Sequence, residues 1–408
     1  MPKTSYTAVL LNPRDLVVEA AKRLGLSMVI CPAPEAPEPE GAPGPVLRSP
    51  WTTDVDGLVE RLRELGLPAP VTCFGFGELG CSVSAVVNER MGWPGSRPAP
   101  HALFRDKAAL RTAVGARAGR PVAHAVCRTA GEIRAAVARL GYPCVVKPVD
   151  GTGSAGVRLH TGPADTEAHL AELEPGRVQL VEEFLTGVEY SVEALTSPRG
   201  HRILAITEKQ TTGAPHFVET GHTLPVRLDD VAEKAITELV TATLDAAGYD
   251  FGVSHTEVML TSDGPRLIES HGRPGGDRIS DMLILALDED VFEQAMAAVV
   301  DVPPPTVPGR HRVAGIRYVT FDRGHPLPAL DLSPVEAMAG VAEVTVSVPP
   351  GEVPPEVRRS ADRHGFVVAV GDNRTELEAR LTAAVAALEE LVTAAGQAPG
   401  GPGGPATR

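Results

Sequence analysis

The sequence predicts an α/β and α+β protein, with a doubly wound α/β unit at the N-terminus and an α+β region at the C-terminus. Three observations carry this. The chain opens on a β-α-β pattern, a strand ending in Lys147 runs into a glycine-rich loop, and two apolar runs flank the Asp263-Gly264 turn of a β-hairpin.

At 408 residues the chain has the length of about two or three domains, and its 43% apolar content is ample for a core. A formal net charge of −14 argues against nucleic acid or an anionic membrane as the main partner, but leaves room for a local basic cluster that binds a nucleotide. Cys31, Cys73, Cys81, Cys127 and Cys144 are dispersed without a C-x-x-C pair, which suits reduced thiols in the cytoplasm and no zinc site. No secretory h-region is visible, and no apolar run approaches the roughly 20 residues of a membrane span.

Residues 7–12 read as a buried strand, 15–24 as a helix and 27–31 as a second strand. Residues 32–50 are rich in Pro, Glu and Gly and read as a surface connection; 54–65, 71–76 and 80–91 follow as helix, strand and helix. Gly75-Phe76-Gly77-Glu78-Leu79-Gly80 matches G-x-G-x-x-G, yet the acid expected about 20 residues on is missing and the match is not on the first βα turn. It reads as a tight turn beside a substrate pocket and not as a dinucleotide site.

Residues 105–114 form a predicted helix with Lys107 and Arg111 on one face. After an amphipathic stretch at 132–140 comes the strand to Lys147, then Gly151-Thr152-Gly153-Ser154-Ala155-Gly156, then a strand from Val157. The lysine precedes the loop, so this is not a Walker A motif. A β-loop-β flap can still cover phosphates with backbone N–H groups while Lys147 supplies a point charge.

Residues 178–185 read as a strand running into Glu182-Glu183-Phe184-Leu185, a hinge on which a base could lie, followed by Glu189. A strand at 203–207 precedes a polar, aperiodic segment, 210–224, that reads as a functional loop offering Glu219 and His222. Residues 229–247 form a long helix leading into the hairpin. With Ser262-Asp263-Gly264 as a three-residue loop, Glu257 faces Glu269, with His255 on the face of Glu257 and Leu267 and His271 on that of Glu269. Opposed carboxylates destabilise a bare sheet, and a divalent cation between them removes the conflict. Mg²⁺ takes one or two carboxylates plus substrate phosphates, at about 2.0–2.1 Å. Residues 280–299 read as helical and 302–310 as a Pro-rich boundary; strands at 313–320, 341–346 and 365–370 precede a helix from Asn373 to about Leu391.

Taken in order, Lys107, Lys147, the glycine loop, the Glu182–Leu185 hinge and the Glu257/Glu269 hairpin closing on Arg273 resemble the ATP-grasp superfamily over most of residues 1–393. The Glu219-x-x-His222 pair and the Gly275-Gly276-Asp277 ending are most similar to the dipeptide-forming L-amino-acid ligases of the alanine–anticapsin ligase type. The resemblance implies an ATP-grasp fold, with a pre-ATP-grasp α/β domain over 1–100 and a nucleotide-binding catalytic domain over 101–302, whose flap subdomain spans about 120–205. A C-terminal α+β domain would follow over 303–393, then a disordered tail at 394–408.

The resemblance also implies an ATP-dependent carboxylate–amine ligase working through an acyl phosphate, with ATP and Mg²⁺ (or Mn²⁺) as cofactors and small-molecule carboxylate and amine partners. It places dipeptide or natural-product assembly in the cytoplasm; relatives are often dimers, and the homodimer stays open for this chain. Lys107 and Lys147 would contact phosphates beneath the flap of Gly151, Thr152, Gly153, Ser154 and Gly156. Glu182, Phe184 and Leu185 would hold adenine and Glu189 the ribose. Glu257 and Glu269 would bind the metal. Arg273 and His222 would stabilise developing charge, and Glu219 would receive an α-amino group, with Gly275 and Gly276 lining the substrate site. Two positions depart from the pattern: His271 stands where relatives carry a metal-binding Asn, and would either join Glu257 and Glu269 as a metal ligand through a neutral imidazole or contact substrate instead, and Asp277 stands where an aromatic narrows the pocket. A carboxylase or formate-activating enzyme, and a non-catalytic ATP-binding protein, stay open as alternatives.

Overall fold

The computed structural model describes residues 6–36, 41–118, 120–151, 156–174, 176–214, 216–300 and 312–396. They fall into two compact units, one within 1–151, 156–208 and 225–310, the other within 209–224 and 311–408 together with 152–155.

The first unit opens with β1 (Thr7–Leu11), α1 (Asp15–Arg23), β2 (Ser27–Cys31), α2 (Val55–Glu64), β3 (Val71–Gly75) and α3 (Glu78–Met91). The strands form a parallel sheet in the order β2-β1-β3. They are mostly apolar because helices cover both faces, and Val9, Val29, Cys73, Leu58 and Val87 share one core. The G-x-G-x-x-G segment is the β3–α3 turn. A Cβ on Gly75 would overlap the backbone of Gly80, so this glycine pair lets strand and helix approach closely, whereas Gly77 has open space around it. Gly75→Ala should therefore cost about 2–3 kcal/mol in urea unfolding. Gly77→Ala, at the helix N-cap, should cost no more than about 1 kcal/mol.

Two helices stand where the sequence suggested one beginning at residue 105. α4 (Pro98–Arg105) and α5 (Lys107–Val114) break at Asp106, whose carboxylate accepts from the N–H groups of Ala108 and Ala109 at 3.0 and 2.9 Å. The Pro-rich composition around Pro98 hid α4, although proline at the first turn favours a helix start.

β4 (His124–Cys127), α6 (Ala130–Leu140), β5 (Cys144–Pro148), β6 (Arg158–His160), α7 (Pro163–Glu172) and β7 (Gln179–Glu183) follow. They build an antiparallel sheet in the order β4-β7-β5-β6, against which α6 packs Ile133 and Val137 onto Val146 and Val181. β8 (Val188–Ser197) and β9 (Gly200–Thr211) come next; β10 (Glu219–Leu224) belongs to the second unit. α8 (Asp230–Ala247), β11 (Gly252–Thr261), β12 (Gly264–His271), α9 (Ile279–Leu287) and α10 (Val291–Val300) complete the first unit, where α8 covers the strands ordered β12-β11-β8-β9.

The second unit adds β13 (Val313–Val319), α11 (Ser333–Glu336), β14 (Val341–Val346), β15 (Gly365–Gly371) and α12 (Arg374–Gly396). Its strands run antiparallel in the order β10-β13-β15-β14, with Leu377, Leu381 and Leu388 of α12 packed on Val367 and Ala369. Residues 219–224 are thus a strand and not part of a loop. Glu-Thr-Gly-His-Thr-Leu lacks apolar alternation because Gly221, His222, Thr223 and Leu224 are all buried. α12 is capped by Asn373 and continues to Gly396, into the segment expected to be disordered; 397–408 and the Pro-rich boundary lie outside the described residues. Among the described residues no helix is long and apolar enough to cross a membrane.

Candidate active site

The hairpin that should oppose Glu257 and Glu269 does so by a different route from the one read in the sequence. Thr261 pairs with Gly264, so the turn has two residues, Ser262 and Asp263, and Gly264 sits beyond it at φ +101°. That turn alone would put the two glutamates out of register. A β-bulge restores it: Glu257 pairs with Glu269 but Val258 pairs with Leu267, leaving Ile268 as the extra residue. The bulge also flips the alternation. Leu267 faces the core with Val258 and is not on the face of Glu269 and His271, where the sequence reading put it. The carbonyl of Ile268 accepts from Arg111 Nη2 at 2.7 Å, so the displaced backbone group keeps a partner.

Arg111 is the residue around which the cations assemble. Its Nε donates to Glu182 Oε1 at 2.7 Å, and Lys147 Nζ meets the other oxygen at 2.6 Å. Lys147 and Glu182 lie diagonally on neighbouring strands, since Lys147 pairs with Leu180 and Glu182 with Val145. Burial opposes ionisation of Glu182, but Arg111 and Lys147 outweigh it and hold the carboxyl at about 2.

Lys107 opens α5, where the helix dipole disfavours a cation. It is held there by Glu269 Oε2 at 2.9 Å and by the carbonyl of Gly151 at 2.6 Å, which ties the helix to the start of the glycine loop. The other oxygen of Glu269 accepts from His271 Nε2 at 3.0 Å. Burial pushes Glu269 up, but His271, Lys107 and Lys147 hold it well below the ordinary carboxylate range. Burial likewise pushes His271 down, and the carboxylates of Glu269 and Glu78 lift it above its ordinary value. Here His271 serves as a charge partner for these two carboxylates.

Arg273 pairs with Glu78 on the β3–α3 turn and donates from Nη1 to the carbonyl of Pro274 at 3.0 Å. Burial opposes ionisation of Glu78, yet His271 and Arg273 hold it at about 2. On the far side of Glu257, His255 lies between two acids: Nδ1 is 2.5 Å from Glu193 and Nε2 is 3.4 Å from Glu257. Burial lowers its pKa, but Glu193 and Glu257 lift it to about 9. Glu193 also accepts from the N–H of Gly275 at 3.1 Å. A Cβ on Gly275 would lie 2.9 Å from His255 Nδ1 and 3.0 Å from Glu193, while Gly276 has nothing within 4 Å.

The first unit therefore gathers Lys107, Lys147, Gly151, Glu182, Glu257, Glu269, His271, Arg273 and Gly275 in one linked set. Gly156 is described, and Thr152, Gly153 and Ser154 lie outside the described residues. The side chain of Glu182 is spent on two cations. Phe184 takes a long 3.4 Å bond from its N–H to the Pro143 carbonyl, Leu185 follows it, and Glu189 pairs with Met259 across β8 and β11. Four participants went unassigned in the sequence. Arg111 was legible only as a helix neighbour of Lys107, Glu78 was hidden in the glycine turn, and Glu193 and His255 gave no signal beyond strand alternation.

Glu219 and His222 lie on β10 of the second unit. Glu219 accepts from Ser360 Oγ at 2.6 Å, with Lys209 at 3.9 Å and Arg363 at 4.0 Å. The Arg363 guanidinium stacks 3.5 Å over the ring of Tyr318, which meets His222 edge-on at 6.4 Å.

Among the described residues no three His, Cys, Asp or Glu side chains form a cage that could hold a metal alone. The opposed pair Glu257 and Glu269 suits an ion shared with nucleotide phosphates, since Mg²⁺ is commonly bound through one or two carboxylates.

Residues 140–281 match the ATP-grasp domain, and residues 330–391 match the L-amino acid ligase C-terminal domain 2. The chain thus carries an ATP-grasp domain, the nucleotide-using part, followed by an L-amino acid ligase C-terminal domain. That pair of domains marks an ATP-dependent carboxylate–amine ligase, which forms C–N bonds. It is similar to the crystal structure of an L-amino acid ligase from Bacillus licheniformis, with TM-score 0.77 and 21% identity over 94% of this chain and 98% of that one. The uncharacterized protein y4rH of Sinorhizobium fredii is 29% identical over 91% of this chain and 79% of its own length. Carnosine synthase 1 of Gallus gallus is 32% identical over 66% of this chain, which spans only 32% of that synthase.

Proposed function

We propose that the protein joins two amino acids, or an amino acid and a similar amine, into a dipeptide-like amide for natural-product assembly. The observation that carries this reading is the Glu257–Glu269 pair set among Lys107, Lys147, Arg111 and Arg273. Similarity to a carnosine synthase and to an L-amino acid ligase supports the amino-acid substrate class.

ATP enters as a substrate. A carboxylate oxygen of the acid attacks the γ-phosphorus, the bond to the β-phosphate oxygen breaks, and ADP leaves. The amine nitrogen attacks the acyl carbon, gives up a proton, and phosphate departs with the electron pair of the C–O bond. The protein mainly positions groups and offsets charge. Lys107 and Lys147 supply cations at the phosphates, with Glu182 and Glu269 fixing where those cations point. Backbone groups of Phe184 and Leu185 take the adenine, with Glu189 at the ribose. The glycine flap beginning at Gly151 excludes water from the acyl phosphate. Glu257 and Glu269 would hold Mg²⁺ or Mn²⁺, which supplies Lewis-acid stabilisation of phosphoryl charge. Arg273 and His222 stabilise the oxyanion, and Glu219 receives the α-amino group of the acid. Five free, buried cysteines suit a reducing cytoplasm.

His222→Ala should lower kcat on the order of 10²–10³-fold, the cost of removing one oxyanion donor, measured at a temperature where the variant, destabilised by the space left at this buried position, is still folded. A matrix of paired amino acids, with bicarbonate and formate as single substrates, scored for ADP release and product mass, tests the whole reading. Amide products support it; turnover on bicarbonate or formate alone overturns it.

A further inference from the structure

A pocket in the first unit, open to solvent at its mouth, lies beside the charged cluster without sharing its charged residues. Its wall runs from Phe76, just past β3, back along the strand to Thr72, four residues or about 13 Å of extended chain. Gly272 and Pro274, on either side of Arg273, line it as well, and so do Gly75 and Phe76, just before Glu78. The ion pair of Arg273 with Glu78 thus stands next to the pocket.

Three features indicate what the pocket takes. No Asp, Glu, Lys or Arg lines it, and burial lowers the His101 imidazole to about 4, so this wall is uncharged at neutral pH. Phe74, Phe76, Tyr249 and Phe251 give it aromatic sides. Thr72 is 1% exposed and its Oγ1 has no hydrogen-bond partner, although the other polar walls are satisfied: Asn88 binds the Cys73 backbone, and His101 meets Ser96 at 3.0 Å. A buried hydroxyl left alone is costly, so an orphan on a pocket wall marks where an occupant's polar atom belongs.

We propose that this pocket receives the side chain of one of the two amino-acid substrates and selects a bulky, uncharged one, with Thr72 meeting its polar atom. The proposal rests on the amino-acid ligase reading above and specifies its substrate class. One methylene more or less in a hydrophobic pocket is worth about 10–200-fold in kcat/KM.

The test is steady-state ADP release by the full chain with Gly, Ala, Leu, Met, Phe, Tyr, Lys and Glu. It compares the unaltered protein with two variants that fill the pocket away from the charged cluster, Ser84→Leu on α3 and Ala295→Met on α10. The unaltered enzyme should favour at least one of Leu, Met, Phe and Tyr over Gly, Ala, Lys and Glu by tenfold or more. Each filled variant should lose at least tenfold more activity on the favoured bulky amino acid than on Gly and Ala, so that the preference disappears. Melting curves show which variant is folded, and either alone suffices. An unchanged ranking in a folded variant, or parallel loss on every amino acid, would overturn the pocket while leaving the ligase reading intact. No release with any amino acid in the unaltered enzyme would overturn both.

Discussion

Glu269→Gln is expected to reduce amine-dependent ADP release by more than about 10³-fold while the protein stays folded. One carboxylate here does three things. It faces Glu257 across the bulged hairpin, holds Lys107 at 2.9 Å and accepts from His271 at 3.0 Å. The amide keeps the shape but loses the negative charge that both cations and a divalent ion would need. Breaking a buried pair by removing one partner typically costs about 3–5 kcal/mol; Lys107 keeps the Gly151 carbonyl and Glu269 is only partly buried, so the loss should fall below that range. A coupled ADP assay beside circular dichroism melting separates the two effects. Full activity in a folded variant would remove the carboxylate shelf from the mechanism.

The hairpin also shows how sequence patterning reaches a correct register through an incorrect turn. Opposing apolar runs and the Asp-Gly pair locate the reversal, and the Glu257–Glu269 pairing came out right. The loop length was one residue too long, and the missing residue is the bulge at Ile268. Nothing local in Leu-Ile-Glu announces a bulge, because its stabilising partner is Arg111, 157 positions away in the chain. The same limit explains β10. A strand buried on both faces by histidine, threonine and glycine has no alternation to read, so its neighbours decide its conformation. The doubly wound opening was legible because its strands are short, mostly apolar runs and its helices are amphipathic.

The candidate site divided along similar lines. Lys147 and Glu182 stand out because a charged residue in an otherwise apolar strand violates the local pattern, and such violations gather where function is. Glu182 was read as an adenine contact, and its side chain also binds Arg111 and Lys147. Glu193 and His255 violate the pattern equally, yet each is intelligible only through the other, and they meet across neighbouring strands.

Glu182→Gln should show its effect first in acid stability. In the folded protein this carboxyl is held at about 2, against an ordinary value of 4.5. A depressed carboxyl stabilises the fold above its unfolded pKa and loses that contribution as pH falls through the folded value. The linkage amounts to about 3 kcal/mol at neutral pH, lost between about pH 5 and pH 2. Wild-type protein should therefore lose stability steeply across that window in urea titrations, and the variant should start lower at pH 7 and show a shallower acid limb. Activity should fall as well, because Lys147 and Arg111 lose the group that aims them, and the bulge carbonyl of Ile268 is held by the same guanidinium. Arg111→Lys separates the two roles. A lysine can keep an ion pair with Glu182 but cannot present the fork that reaches both the carboxylate and the carbonyl. It should retain most of the acid limb while losing activity. Loss of the acid limb with activity preserved would show that Glu182 serves stability alone.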